Sequence, residues 1–192
     1  MNAAPLPDWA VPPYGGFTAD DLDRIPDLPP RTELIDGSLV FVSPQAKFHT
    51  LTVDLLVNGL RRTVPADLRV RREMSVILGR RQRPEPDLLV VRAETDIGPE
   101  QTAYQSSDVV LAGEVVSPDS EERDRERKPQ LYAAAGIPHF WRVERASGHP
   151  TAYVYELDPA TRTYAITGIH HDQLKLTIPF DIDIDLTALD KL

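Results

Sequence analysis

Apolar and polar positions change period several times along the chain, and each change marks an element. Residues 32–42, TELIDGSLVFV, are two β-rich runs flanking Asp36-Gly37, the residue pair of a two-residue hairpin turn. Ser43-Pro44 then offers an N-cap and a first-turn proline. Phe48, Leu51, Leu55, Leu56 and Leu60 follow at helical spacing to about Thr63, which predicts a helix with one apolar face. Residues 68–78 predict one strand or a bent pair, PDLLVVR (86–92) another strand, and VVLAGEVVS (109–117) a third. Their continuous apolar character predicts a sheet covered on both faces. LYAAAG (131–136) reads as a helix end with Gly136 just beyond it, and HFWRVE (139–144) and TAYVYEL (151–157) as two strands joined by a glycine-containing turn, with TYAITG (163–168) extending the set. Upstream, prolines at 5, 7, 12 and 13 make residues 1–17 an irregular lead-in, and Thr18 with Asp21 caps a short helix over 19–25. The pattern is α/β, a mixed sheet flanked by helices and preceded by a β-hairpin and a helix. Residues 18–192 read as a single domain, with no internal repeat, dividing linker or low-complexity tract.

Composition narrows the setting. There is no cysteine among the 192 residues, so disulfides and thiolate metal sites are excluded. The first residues lack a basic start and a continuous apolar stretch, and no run approaches a membrane span, so the expectation is a soluble, cytoplasmic protein. A net charge of -9 argues against a polyanionic partner until its distribution is considered. Residues 1–30 hold five acids and one base and residues 151–192 seven acids and three bases, whereas the middle holds 18 acids and 17 bases. Within that middle, RVRREMSVILGRRQR (69–83) carries six arginines against one glutamate. It is either a solvated hairpin or a phosphate-binding patch through Arg80, Arg81 and Arg83.

The strand VVLAGEVV contains a lone acid, Glu114. An unpaired carboxylate inside such a strand costs several kcal/mol, so Glu114 either lies at the wet end of the strand or meets a cation. Asp87, 27 residues earlier at the start of another strand, could reach the same point if the two strands are neighbours. Two close carboxylates repel unless a cation lies between them, and a hard divalent ion, Mg²⁺ or Mn²⁺, suits oxygen ligands that could include the backbone carbonyl of Val115. The plainer reading makes Asp87 a strand-start residue and Glu114 a rim residue, and spacing alone favours it. His170-His171 lacks a third ligand at zinc spacing, and the chain has neither a glycine-rich phosphate loop nor a nucleophile elbow.

A longer series shifts the balance. Pro86-Asp87, Glu114-Val115-Val116-Ser117-Pro118, Asp124 with Lys128, Tyr132, Gly136-Ile137 and Phe140-Trp141 follow Glu33-Leu34-Ile35-Asp36-Gly37, Ser43-Pro44 and His49 in order. This series resembles the Uma-two type of restriction endonuclease, a branch of the PD-(D/E)XK nuclease superfamily, over roughly residues 18–145. The resemblance implies a restriction-endonuclease-like core and a metal-dependent nuclease acting on nucleic acid, DNA in the first instance. Asp87 and Glu114 would then bind Mg²⁺ or Mn²⁺, with Glu33 as an additional acidic ligand. Lys128 would serve the attacking water or the scissile phosphate, and Asp124 and His49 would support them.

Two positions depart from the superfamily pattern. Val116 stands where the usual lysine would be, which moves that role to Lys128 on the following helix, and Pro129 follows Lys128 where a helix former is expected. A helix starting near Asp124 would leave the proline at the edge of its first turn. Two readings therefore stay open: a metal-dependent endonuclease, and a non-catalytic nucleic-acid-binding or protein-interaction module that keeps the fold. The aromatic strands near the C-terminus suit a homodimer.

Overall fold

The computed structural model of the chain describes residues 7–146 and 148–191. In chain order the strands are β1 (Glu33–Ile35), β2 (Ser38–Val40), β3 (Leu68–Arg72), β4 (Ser75–Ile77), β5 (Leu88–Arg92), β6 (Ala103–Gln105), β7 (Val109–Val115), β8 (His139–Ala146), β9 (His149–Asp158), β10 (Thr163–His170), β11 (Gln173–Leu176) and β12 (Ile182–Asp185). Two α-helices accompany them, α1 (Lys47–Thr63) and α2 (Lys128–Ala134). The central sheet has six strands in the order β10-β9-β8-β7-β5-β3. β7 and β8 run parallel, joined through α2, and the other neighbours are antiparallel. It is the mixed α/β architecture that the apolar runs predict.

Alternation along the inner strands divides the core into two layers. Leu88 and Val90 of β5 and Leu111 and Val115 of β7 pack with Val53, Leu56, Val57 and Leu60 of α1. Leu89, Val91 and Ala112 turn the other way, onto Tyr132 of α2, Ile137 and Phe140. Burying each large side chain contributes about 1.5–3 kcal/mol, so both layers hold the sheet between the helices. The same alternation puts Glu114 on the Ala112 face, toward α2.

The hairpin turn forms as its residues require, with Asp36 at φ 55 and Gly37 at φ 78 between β1 and β2. Thr18 and Asp21 make a capping box, on a 3-10 helix over Ala19–Asp23. Residues 68–78 are the bent pair β3 and β4. Other local expectations yield to tertiary demands. α1 begins at Lys47, behind Ala46, and not at Ser43-Pro44; residues 41–46 stay irregular, and Val42 and Gln45 instead line a cavity described below. Of the lead-in, residues 1–6 lie outside the described residues, and Asp8–Ala10 makes a 3-10 turn. β6, which pairs in parallel with β4, and the hairpin β11-β12 against α1 carry no strand pattern strong enough to be read beforehand.

Where α1 crosses β12, Gly59 makes the approach possible: a Cβ there would lie 2.6 Å from both Cδ1 and Cγ1 of Ile184. Alanine is the better helix former by about 1 kcal/mol, but displacing a β-branched side chain in a filled core costs about 1–3 kcal/mol. Gly59→Ala is therefore expected to lower the melting temperature, and Ile184→Ala in the same chain should cost less than in the parent. A raised melting temperature for Gly59→Ala would show that propensity outweighs the contact.

Candidate active site

The ladder between β5 and β7 ends with Leu88 paired to Gly113, and Asp87 and Glu114 are the next residue along each chain segment. Asp87 Oδ2 accepts a hydrogen bond from the Val115 N–H at 2.8 Å, which fixes the carboxylate against β7. The hairpin contributes Glu33, whose Oε1 accepts the Glu85 N–H at 2.8 Å. From α2 comes Lys128, whose Nζ lies 2.9 Å from Glu33 Oε1, 3.1 Å from Glu114 Oε2 and 3.3 Å from Asp124 Oδ1. The ammonium is the cation that allows Glu114, 1% exposed, to sit inside an apolar strand. The hydroxyl of Tyr132, one turn along α2, donates to the other oxygen of Glu114.

Pro129 shapes the approach of Lys128. A proline cannot donate to the Arg125 carbonyl four residues back, and its ring crowds that carbonyl, so a regular helix is disfavoured there. The chain answers with a π-helical turn over Arg123–Arg127, in which the Lys128 N–H bonds to the Arg123 carbonyl five residues back. α2 then starts at Lys128 with the proline in its first turn. Asp124 and Lys128 both face inward across this widened turn. Ser120 Oγ donates to the second oxygen of Asp124.

The remaining wall comes from α1 and from the segment before the hairpin. His49 Nε2 lies 3.0 Å from Asp87 Oδ2. Arg31, held at φ 61, donates from Nη2 to Asp87 Oδ1 at 3.3 Å and from Nε to Glu85 at 2.9 Å, and its Nη1 lies 3.2 Å from Glu73. Its side chain is 26% exposed against 7% for Asp87, which places it nearer the surface.

Charge decides the protonation states. Burial pushes the Asp87 carboxyl up, but His49, Lys128 and the Val115 N–H together outweigh it and hold it below the usual carboxylate range. Burial pushes Glu114 well up; Lys128 opposes this, and the neighbouring charges of Asp124, Asp87 and Glu33 add to it. Asp124 is also raised, first by burial. Burial works against the ammonium of Lys128, yet Glu114, Glu33, Asp124 and Asp87 overcome it, and Lys128 stays charged well beyond the ordinary range. Four carboxylates against one ammonium would repel if all were ionised, and the upward shifts of Glu114 and Asp124 relieve that repulsion.

These residues enclose a cavity of about 20 Å³, also lined by Gln45, Ser117 and Val115. That is room for about one water-sized species. Gln45 Oε1 and His49 Nδ1 are buried with no hydrogen-bond partner among the described residues. A small oxygen-seeking divalent cation fits the oxygen donor set and the space. The carboxylates converge on the ammonium, however, and among the described residues no three acidic or histidine side chains are arranged around a common ion position.

The structure thus brings Asp87, Glu114, Val115, Glu33, Lys128, Asp124 and His49 to one point. It does not bring Arg80, Arg81 and Arg83 there, and the Arg83 guanidinium faces the interior. Arg83 is buried, and its Nη1 donates to the Ala19 carbonyl at 3.0 Å and to Asp23 at 2.8 Å, tying the 3-10 helix to the hairpin. Arg81 donates to the Asp36 carbonyl at 2.6 Å and lies over Gly37, and Arg80 is exposed. Arg31, Gln45 and Ser120 were not legible in advance, because each reaches the cavity through an irregular segment. Tyr132 stands in the family-like series, but its bond to Glu114 needs the strand and helix in place.

Among the described residues no helix is long and apolar enough to cross a membrane. The chain matches no curated protein. Its fold is similar to that of a protein from Anabaena variabilis ATCC 29413, described as "a putative nuclease belonging to DUF820", with a TM-score of 0.70 and 16% identity over 91% of this chain and 98% of that one. Residues 19–188 match the family Uma2, described as "Putative restriction endonuclease", and the chain belongs to that family.

Proposed function

We propose that the protein is a divalent-metal-dependent endonuclease that hydrolyses phosphodiester bonds in nucleic acid, with DNA as the first substrate to test. The observation that carries this reading is the convergence of Glu33, Glu114 and Asp124 on the buried Lys128 ammonium, with Asp87 lining the same cavity of about 20 Å³. Asp87 and Glu114 would hold Mg²⁺ or Mn²⁺, with Glu33 and the Val115 carbonyl as further oxygen ligands. When bound, the ion would polarise the scissile phosphate and make a water more acidic.

The chain's own groups do the rest. Asp87 is held ionised by His49, Arg31 and the Val115 N–H, so it is ready to ligate without losing a proton. Lys128 is held as an ammonium, which makes it a donor to the attacking water or a counter-charge for the phosphate and rules it out as the base in this arrangement. Asp124, raised toward holding a proton and not among the proposed metal ligands, is the group that could take one up. The enclosed walls keep bulk water away and strengthen each of these interactions.

One observation favours the non-catalytic reading. The Lys128 ammonium already occupies the carboxylate centre, as it would in a core that needs no ion. A Mg²⁺ and Mn²⁺ cleavage assay over DNA and RNA, single- and double-stranded, separates the two readings, with Asp87→Ala as the control. Metal-dependent cleavage lost in that variant supports the enzyme; no cleavage of any substrate supports the module.

Metal binding can be judged without a substrate. Mn²⁺ binding to the native state alone should raise stability by about 2.7 kcal/mol at a hundredfold excess over Kd. Asp87→Asn should cost about 1.5–3 kcal/mol in chelator, because charge-assisted hydrogen bonds from Val115, His49 and Arg31 are weakened, and should also lose most of the Mn²⁺ increment. Melting curves in chelator and in millimolar Mn²⁺ give both terms, and a parent protein indifferent to Mn²⁺ would count against a metal site.

Lys128→Ala is expected to lower turnover by about two orders of magnitude while leaving metal binding in place. It should also destabilise the metal-free protein by about 3–5 kcal/mol, since it strands buried carboxylates, and Mn²⁺ should restore part of that loss. Turnover equal to the parent's at a temperature where both are folded would remove the lysine from the mechanism.

A further inference from the structure

Beyond the carboxylate cavity, a larger pocket of about 470 Å³ opens between α2 and the outer strands β8–β10. Its lining includes Arg125, Arg142, Arg162, Tyr155, Tyr164 and Glu126. We propose that this pocket binds a nucleotide of a single-stranded stretch of nucleic acid, with the tyrosine rings as the stacking surface and the arginines as phosphate contacts. The proposal rests on the nuclease reading for its biological sense and adds to it the route of the substrate strand.

Three features point to this ligand. First, Arg125, Arg142 and Arg162 line the pocket beside Glu126, and their guanidiniums are the phosphate-binding groups it offers. Two of them are already engaged: Glu144 accepts two hydrogen bonds from Arg125 and lies 2.7 Å from Arg142 Nε, and Glu121 also pairs with Arg125. Arg162 is exposed, tethered by Nη1 to the Ala134 carbonyl at 3.2 Å, and is the arginine best placed to meet a phosphate. Second, the rings are held in advance. Tyr155 and Tyr164 lean on Phe140 with centroids 5.6 and 5.5 Å away, and the Arg142 guanidinium lies 4.6 Å above Tyr153 and 5.7 Å from Tyr155. Half-exposed rings backed by a rigid core lose little freedom when an unpaired base stacks on them.

Third, the pocket leads toward the carboxylates. Arg125 also lines a neighbouring pocket of about 260 Å³, together with Arg145, His49 and Ser117. His49 and Ser117 line the carboxylate cavity as well. A strand seated on the tyrosines would run past Arg125 and Arg145 toward the carboxylate cavity, whose Asp87 and Glu114 are themselves buried.

The test measures binding without cleavage. The parent protein and the variants Arg162→Glu, Tyr155→Leu and the double variant Arg80→Ala/Arg81→Ala are titrated in EDTA into labelled single-stranded DNA, single-stranded RNA and a DNA duplex of the same sequence. The expected result is about a tenfold or greater loss of single-strand affinity for Arg162→Glu, with the slope of log K against log salt reduced by roughly one unit. Tyr155→Leu should weaken single-strand binding several-fold, and the duplex should bind the parent more weakly than the single strand does. The Arg80/Arg81 variant should match the parent. If melting shows that Tyr155→Leu is unfolded, Arg162→Glu decides alone. Unchanged affinity and slope in Arg162→Glu, or no binding of any oligonucleotide by the parent, overturns the proposal. Cleavage in Mn²⁺ is scored separately. Loss of binding in Arg162→Glu without cleavage by the parent keeps the pocket and sinks the nuclease; cleavage by the parent with normal binding by Arg162→Glu does the reverse.

Discussion

Four carboxylates, those of Glu33, Asp87, Glu114 and Asp124, are taken out of water together, and the ammonium of Lys128 is what makes this bearable. Each would cost several kcal/mol alone, and together they repel. The cation must therefore be delivered to one point, at hydrogen-bonding distance from three elements of structure: the hairpin, β7 and the turn before α2. The position of α2 over the sheet is tied to that delivery as much as to the apolar contacts of Tyr132 and Leu131. The proline that looks like an obstacle next to Lys128 is accommodated by a π-helical turn, and Asp124 and Lys128 share the inward face across it.

The N-terminal block is held to the sheet by charge more than by apolar contact. Its own small core joins Phe17, Ala19 and Leu34. Arg83 bonds to Ala19 and Asp23, Arg127 pairs with Asp36 of the hairpin turn, and Arg31 spans Glu73, Glu85 and Asp87. Arginine suits these places because its planar, always charged head serves several acceptors at once. The arginine-rich stretch that looks like a polyanion surface in the sequence is thus partly spent on internal ties. The pocket beside Tyr155 and Tyr164, which Arg125, Arg142 and Arg162 line, is built by other elements.

Much of the fold follows from local pattern. The Asp36-Gly37 hairpin, the apolar face of α1 and the unbroken apolar runs of β5 and β7 each have one low-energy solution, and a lone glutamate in β7 demands either water or a cation. The match of Asp87, Glu114 and Lys128 to a family-like series adds the order of the parts. What no local pattern contains is the pairing of β5 with β7 that brings Asp87 and Glu114 to one cavity, the reach of His49 from α1, and the entry of Arg31, Gln45 and Ser120 from irregular segments. Nor does it show that Arg83 is buried. These depend on contacts between residues far apart in the chain, whose energies appear only when the sheet is assembled. Periodicity records which face of an element is apolar; it does not record which partner that face, or a charge on its edge, will meet.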